Sequence, residues 1–187
     1  MYSQKVFPVI NLDGYTLREQ QDKDVENFYK YYTDPEVNKY ILTEVPQSLE
    51  DGRRELYYWR NVFYNNDGIY FAIADKTDDQ MIGSIGLTSH SSYHNRIELS
   101  YDMAKEFWHK GIMTQAVKAA LNYGFRTMRI NRIEAVTAID NEPSIRLLER
   151  CGFQCEGRLR QHRYHRGALV DVYMFSILQE EFFRNIL

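Results

Sequence analysis

Hydrophobic residues return along this chain with two periods, and the points where one gives way to the other mark out its elements. Tyr15 to Arg18 reads as a short strand. From Asp22 to Asp34 the apolar residues Val25, Phe28, Tyr29 and Tyr32 come at helical spacing, and Pro35 closes the segment. A second helix begins at Ser48, where Ser48 and Asp51 make a capping-box-like start. It runs through Leu56, Trp59 and Phe63 to the turn cluster Asn65-Asn66-Asp67-Gly68. Between the helices, Asn38 to Gln47 has no clear period, which suits a loop facing a substrate.

At Ile69 the period drops to two. Ile69 to Ala74 and Met81 to Thr88 are apolar strands joined as a hairpin by Asp75 to Gln80. A third strand, Arg96 to Met103, sets Ile97, Leu99, Tyr101 and Met103 on one face and Glu98, Ser100 and Asp102 on the other. A helix from about Gly111 to Met128, with Val117, Ala120, Leu121 and Phe125 inward, separates this meander from a β-branched strand, Arg132 to Ile139. Strand, helix and strand in that order imply a right-handed crossover, hence a parallel pair inside an otherwise antiparallel sheet. Asn141 to Arg150 is a shorter helix ending at Gly152, and strands near Phe153 to Leu159 and Asp171 to Leu178 follow. The predicted class is α+β: a mostly antiparallel, twisted sheet with a central parallel pair, flanked by about four helices.

Composition narrows the setting. A length of 187 residues with 44% hydrophobic content suits one domain over residues 1–187. No apolar run approaches the roughly eighteen residues of a membrane span, and Met1 to Pro8 lacks the apolar stretch of a signal peptide. A cytoplasmic protein without a membrane partner is expected. The formal charge of −3 and pI near 6.0 argue against DNA binding. Cys151 and Cys155 are spaced neither as a disulfide framework nor as a metal knuckle, and His90/His94 and His162/His165 lack ligands to complete a set, so no metal is expected.

Candidate chemistry begins where the third meander strand hands over to a helix, at Trp108-His109-Lys110-Gly111-Ile112-Met113-Thr114. Glycine there lets the backbone approach a ligand, and the unpaired amides and dipole of the first helical turn favour a phosphate. The pattern is neither Gly-x-x-x-x-Gly-Lys-[Ser/Thr] nor Gly-x-Gly-x-x-Gly, which disfavours ordinary nucleotide and dinucleotide sites.

Ile97-Glu98-Leu99-Ser100-Tyr101, the loop Trp108 to Thr114, and Asn141 to Phe153, which fits Asn-x-x-Ser-x-x-Leu-x-x-x-Gly-Phe, come in an order that resembles the GCN5-related N-acetyltransferase family. The resemblance covers nearly the whole chain and is nearest to the ribosomal-protein N-terminal acetyltransferase branch, the RimJ/RimL type. It implies a parallel pair splayed around CoA. Amides from Trp108, His109, Lys110, Gly111, Ile112, Met113 and Thr114 would hold the pyrophosphate; pantetheine would lie along Tyr101, Asp102 and Met103; Thr137 to Ile139 would be the splayed partner. Met113 departs from the small residue usual in this loop.

The implied reaction moves acetyl from acetyl-CoA to a primary amine by direct attack in a ternary complex, without a metal or an acyl-enzyme. It needs a neutral amine and a proton for the departing thiolate. Glu98 is the candidate base, or else a polar residue on a solvated strand face; His162 is an alternative base, with Asp171 to orient it or Arg163. Ser144 is the candidate thiolate acid, or a first-turn residue beneath an Asn141 cap; Tyr101 is a second donor. Asn141 and Ser144 would also touch the cofactor. Arg158, Arg160, Arg163 and Arg166 form a solvated surface or a patch for an anion such as ribosomal RNA or the CoA 3′-phosphate. The acceptor implied by the branch is a ribosomal or other protein N-terminal α-amine; a polyamine, amino acid or antibiotic stands beside it. A monomer or homodimer is expected, and a non-catalytic CoA-binding sensor or assembly module is the reading from a different class.

Overall fold

The computed structural model describes residues 5–184. The first four residues of the Met1 to Pro8 segment, and the last three of the expected domain, lie outside the described residues. Strands β1 (Ile10–Asn11), β2 (Tyr15–Arg18), β3 (Ile69–Asp75), β4 (Met81–Ser91), β5 (Arg96–Met103), β6 (Arg132–Ala138), β7 (Gln154–His165) and β8 (Ala168–Leu178) join one sheet. Their order is β1-β2-β3-β4-β5-β6-β8-β7. Every neighbouring pair is antiparallel except β5 and β6. The crossover between those two is the helix α4 (Ile112–Arg126), which the period-3.6 pattern predicts almost to the residue.

Helices cover both sheet faces, which explains why β3 is buried along nearly all its length and reads as an uninterrupted apolar run. On one face Ala116, Val117, Ala120, Leu121 and Phe125 of α4 pack on Leu87, Ile97, Leu99 and Ile133. On the other, α1 (Val25–Tyr32) and α3 (Leu49–Tyr64) bring Val25, Phe28, Tyr31, Tyr32 and Leu56 against Ala72 and Met81. Ser48 caps α3, its hydroxyl accepting from the Asp51 amide at 3.1 Å.

Two expectations are corrected. Pro35 does not end a long helix: Asp22–Asp24 is a 3-10 turn, α1 stops at Tyr32, and Pro35 opens the four-residue α2 (Pro35–Asn38) under an Asp34 cap. Proline at the first helical position sacrifices no hydrogen bond, so it starts a helix as readily as it stops one. The last two strands are longer than expected, because β7 and β8 run on as a hairpin through Arg160 to Val170 to a turn at Arg166 and Gly167. Both turn residues have positive φ, as a tight two-residue hairpin requires. With α5 (Glu142–Arg150) and α6 (Gln179–Arg184), six α-helices stand among the described residues.

A charged lattice ties β5, β6, β8 and β7 together below the point where β5 and β6 part. Arg96 donates to Glu134, Arg132 to Glu134 and bidentately to Glu156, and Ser176 to Glu156. Arg132 and Ser176 together pull the Glu156 carboxyl down to about 2 from its ordinary 4.5. A depressed carboxylate stabilises the fold above its unfolded pKa and ceases to do so as pH falls through the folded value. Glu156→Gln is therefore expected to cost about 1 kcal/mol at pH 7, since a side chain 44% exposed is partly screened. The difference from wild type should shrink on acidification from about 4.5 towards 2, followed by denaturant titration.

Candidate active site

The parallel ladder between β5 and β6 pairs Arg96 with Arg132, Ile97 with Ile133 and Glu98 with Glu134, and there it ends. Both strands continue, β5 to Met103 beside β4 and β6 to Ala138 beside β8. Beyond Glu98 they diverge and leave a cleft of about 950 Å³. Ala104 donates its amide to Ile82 of β4 at 2.9 Å, so strand alternation turns the backbone groups of Met103 and Tyr101 towards the open side. The Met103 carbonyl already accepts the Trp108 indole N–H at 2.8 Å, which leaves its amide for a ligand in the cleft.

At one end of the cleft lies the turn into α4. His109 and Gly111 both have positive φ, and Gly111 occupies the N-cap position at φ +77° with no side chain to cap the helix. The first-turn amides of Ile112, Met113 and Thr114 thus have no intrahelical partner, and the positive end of the helix dipole adds to them. His109, Gly111, Ile112, Met113 and Thr114 all line the cleft. Met113, the residue whose bulk was out of pattern, turns its side chain into the core, where it is 8% exposed, and so does not block the amides.

Near the splay, the Tyr101 and Ser144 hydroxyls lie 2.7 Å apart and both line the cleft. Asn141 is the cap of α5: its Oδ1 accepts from the Ser144 amide at 3.3 Å. Asn141 caps the helix, Ser144 is a first-turn residue, and both line the cleft. Burial pushes the Tyr101 phenol well above its ordinary value, keeping it a neutral O–H donor. Cys151, expected beyond the site elements, is buried close enough to act on that phenol. Burial raises its own thiol, which disfavours the thiolate a nucleophile would need.

Glu98 also faces the cleft, but not as a free carboxylate. Arg163 Nη2 donates to both of its oxygens, at 2.9 and 3.0 Å. Expected in a solvated or anion-binding arginine cluster, or as a partner of Asp171, Arg163 instead joins the site, carried there by the long β7–β8 hairpin. Arg166 near the same tip donates to Asn38 Oδ1 at 2.7 Å, clasping the hairpin to the loop of residues 38–47. His162 is exposed, with its Nε2 3.0 Å from Arg163 Nη1 and outside the cleft lining. Asp171 orients neither: it pairs with Arg158 and accepts the Gln161 amide. Asp102, expected beside pantetheine, is also redirected. Its backbone is registered with Ser84 of β4, and its carboxylate points towards α1, accepting from Tyr31 Oη and Ser84 Oγ, both at 2.7 Å.

The wall opposite the α4 turn is aromatic. Tyr32, Tyr40, Trp59 and Tyr70 line it, with Trp59 and Tyr70 stacked at 4.5 Å between ring centroids. Gly86, across the ladder from Tyr70, makes room for the ring: a Cβ there would stand 2.0 Å from it. Tyr32, Trp59 and Tyr70 fell at helical or strand spacing in the sequence and carried no signal beyond core packing, while Tyr40 lay in the aperiodic segment after Asn38. A second hollow, of about 880 Å³, lies along the outer side of α3; its arginines Arg53, Arg54 and Arg60 are committed to Glu50, Asp51 and Asp22. Among the described residues no group of three His, Cys, Asp or Glu is placed to hold a metal, and no helix is long and apolar enough to cross a membrane.

An anion cradle at a glycine-started helix, a slot between diverging strands and a proton-donor pair at its apex fit a thioester of CoA. Comparisons with known proteins agree. The acetyltransferase (GNAT) domain matches residues 15–154. The N-acetyltransferase p20 of Bacillus licheniformis, itself uncharacterized, is 35% identical over 167 residues, 89% of this chain and 94% of its own. YdaF of Bacillus subtilis, provisionally named a ribosomal N-acetyltransferase, is 29% identical over 89% of this chain and 92% of its own. The fold superposes with a TM-score of 0.79 on the spermidine N-acetyltransferase of Vibrio cholerae in complex with CoA and spermine, at 25% identity over 92% of this chain and 99% of that one. This chain belongs to the acetyltransferase (GNAT) family and is an acetyl-CoA-dependent N-acetyltransferase.

Proposed function

We propose that the chain transfers acetyl to a slender primary amine by direct attack, with Tyr101 and Ser144 protonating the leaving thiolate and Glu98 assisting the incoming amine. The observation that carries this reading is the Tyr101–Ser144 hydroxyl pair at the apex of the splay, on a cleft also lined by Glu98. The amine nitrogen forms a bond to the thioester carbon, the carbon–sulfur bond breaks, and the sulfur takes a proton through the hydroxyl pair. The amine's proton passes to Glu98 or to water it orients. A single Arg163 nitrogen, Nη2, bridges both Glu98 oxygens on one side, so the remaining lone pairs serve the amine or that water.

Amides from Trp108 to Thr114 hold the pyrophosphate in this reading, and Tyr101, Met103 and Asn141 border the pantetheine arm. The protein runs as one domain and needs no metal. The acceptor approaches past residues 38–47, which the Arg166 clasp restrains, and such an approach suits a thin aliphatic amine. A protein N-terminal α-amine, ribosomal or other, is the second acceptor reading, favoured by the similarity to YdaF.

Thiol release on mixing the protein with acetyl-CoA and a panel of amines and N-terminal peptides, with products read by mass spectrometry, tests the proposal; acetyl-CoA binding with no amine acetylated would sink it. Glu98→Gln is expected to lower kcat about tenfold, less than the roughly 10² to 10⁴ of a fully engaged base because Arg163 shares the carboxylate. Its acetyl-CoA affinity should stay within about twofold, within the range of a surface substitution. Unchanged turnover at every pH would remove Glu98 from the mechanism.

A further inference from the structure

Asp102 is a half-buried carboxylate with no cation beside it among the described residues. Its partners among the described residues are the Tyr31 and Ser84 hydroxyls and the Ser84 backbone, and burial pushes its carboxyl up to about 6 despite them. Charged groups near it do not help: Glu55, held by the Trp59 indole at 2.7 Å, is a second acid whose charge adds to the cost. Arg163, which also lines the cleft, is committed to Glu98. Leaving a carboxylate unpaired in such a place is unfavourable unless something that enters the cleft brings positive charge.

The surroundings specify what kind of charge. Asp102 lines the cleft together with Tyr32, Trp59 and Tyr70, and ring faces attract ammonium groups more strongly when water is excluded. Asp102 and Glu98 lie on the same face of β5, four residues apart, which is about 13 Å along a strand. With Glu98 as the proposed base, the reacting nitrogen belongs near Glu98, at the end of the ladder with β6. A cation at Asp102 is then a different nitrogen of the same molecule.

We propose that Asp102 and the rings of Tyr32, Trp59 and Tyr70 form a subsite for a second, protonated nitrogen of the acceptor, making linear aliphatic diamines and polyamines its preferred substrates. This rests on the acetyltransferase reading above and adds to it a determinant of specificity. Asp102 does not touch the reacting atoms; it sets which amines are held and how deeply they enter.

Hexamethylenediamine and n-hexylamine have the same length and reacting group and differ by the distal nitrogen. The wild-type protein is expected to favour the diamine at least tenfold in kcat/KM, mostly through KM. Asp102→Asn keeps the shape and the Tyr31 and Ser84 hydroxyls in reach. It should cut that preference about tenfold while leaving the monoamine and acetyl-CoA affinity nearly unchanged. Equal use of the two amines by wild type, or an undiminished preference in Asp102→Asn, overturns the subsite. Because the wild-type comparison stands alone, poor folding of the variant does not rescue the idea. If neither amine nor any other is acetylated, the acetyltransferase reading fails instead, a distinguishable result.

Discussion

Gly111→Pro is expected to raise the dissociation constant for acetyl-CoA about 100-fold. Gly111 sits at φ +77°, a conformation proline cannot adopt with its ring fixed near −65°, and the preceding Lys110 would be pushed towards extended backbone as well. The turn that aims the amides of Ile112 to Thr114 at the cleft would have to rebuild, at a cost of about 3 kcal/mol, which corresponds to two decades of affinity. Gly111→Ala separates this from mere loss of glycine. A Cβ at this position meets open space, so alanine faces only the left-handed backbone penalty of about 1 to 2 kcal/mol. Titration calorimetry with acetyl-CoA should rank wild type, alanine and proline in that order, with circular dichroism reporting that α4 persists. Normal binding by the proline variant would mean that the cradle lies elsewhere.

How far such a site can be read from sequence depends on whether a residue's role follows from its own strand or helix. Gly111, Ser144 and Asn141 belong to local motifs at helix starts, so their positions in the fold follow from local pattern, while the role of Ser144 comes from the family resemblance; β5 is predicted from Arg96 to Met103 as it is found. Arg163 is different. Its place arises from a hairpin whose β7 arm is polar on both faces from Arg160 to Arg163, leaving no hydrophobic alternation to reveal a strand and no hint that it reaches Glu98, 65 positions away. Asp102 shows a third case: alternation puts it on the same face of β5 as Glu98, but only the packing of α1 and α3 shows that this face is half-buried and meets aromatic rings. His162 and Asp171 failed because β7 bulges between Leu159 and Arg163, and a bulge changes which side chains point inward.

Tyr101→Phe and Ser144→Ala are each expected to lower kcat about 100-fold, equal to about 2.7 kcal/mol of barrier, and the double variant to lose little more than either alone. The reason is that the two hydroxyls, 2.7 Å apart, form a single proton path to the sulfur; removing either oxygen breaks it, and groups acting as a unit are not additive. Acetyl-CoA affinity should change only a few-fold, because the pyrophosphate end of the cleft is untouched. Burial raises the Tyr101 phenol, so it stays protonated across the working range of pH and an alkaline fall in kcat is not expected from it. Single-turnover rates at saturating acetyl-CoA give the cleanest comparison, since they exclude product release. Additive losses would assign the hydroxyls independent roles, and a loss confined to Ser144→Ala would make the serine the sole donor with tyrosine as packing. Unchanged rates in both variants would mean that solvent protonates the thiolate and that the pair serves only to fix α5 against β5.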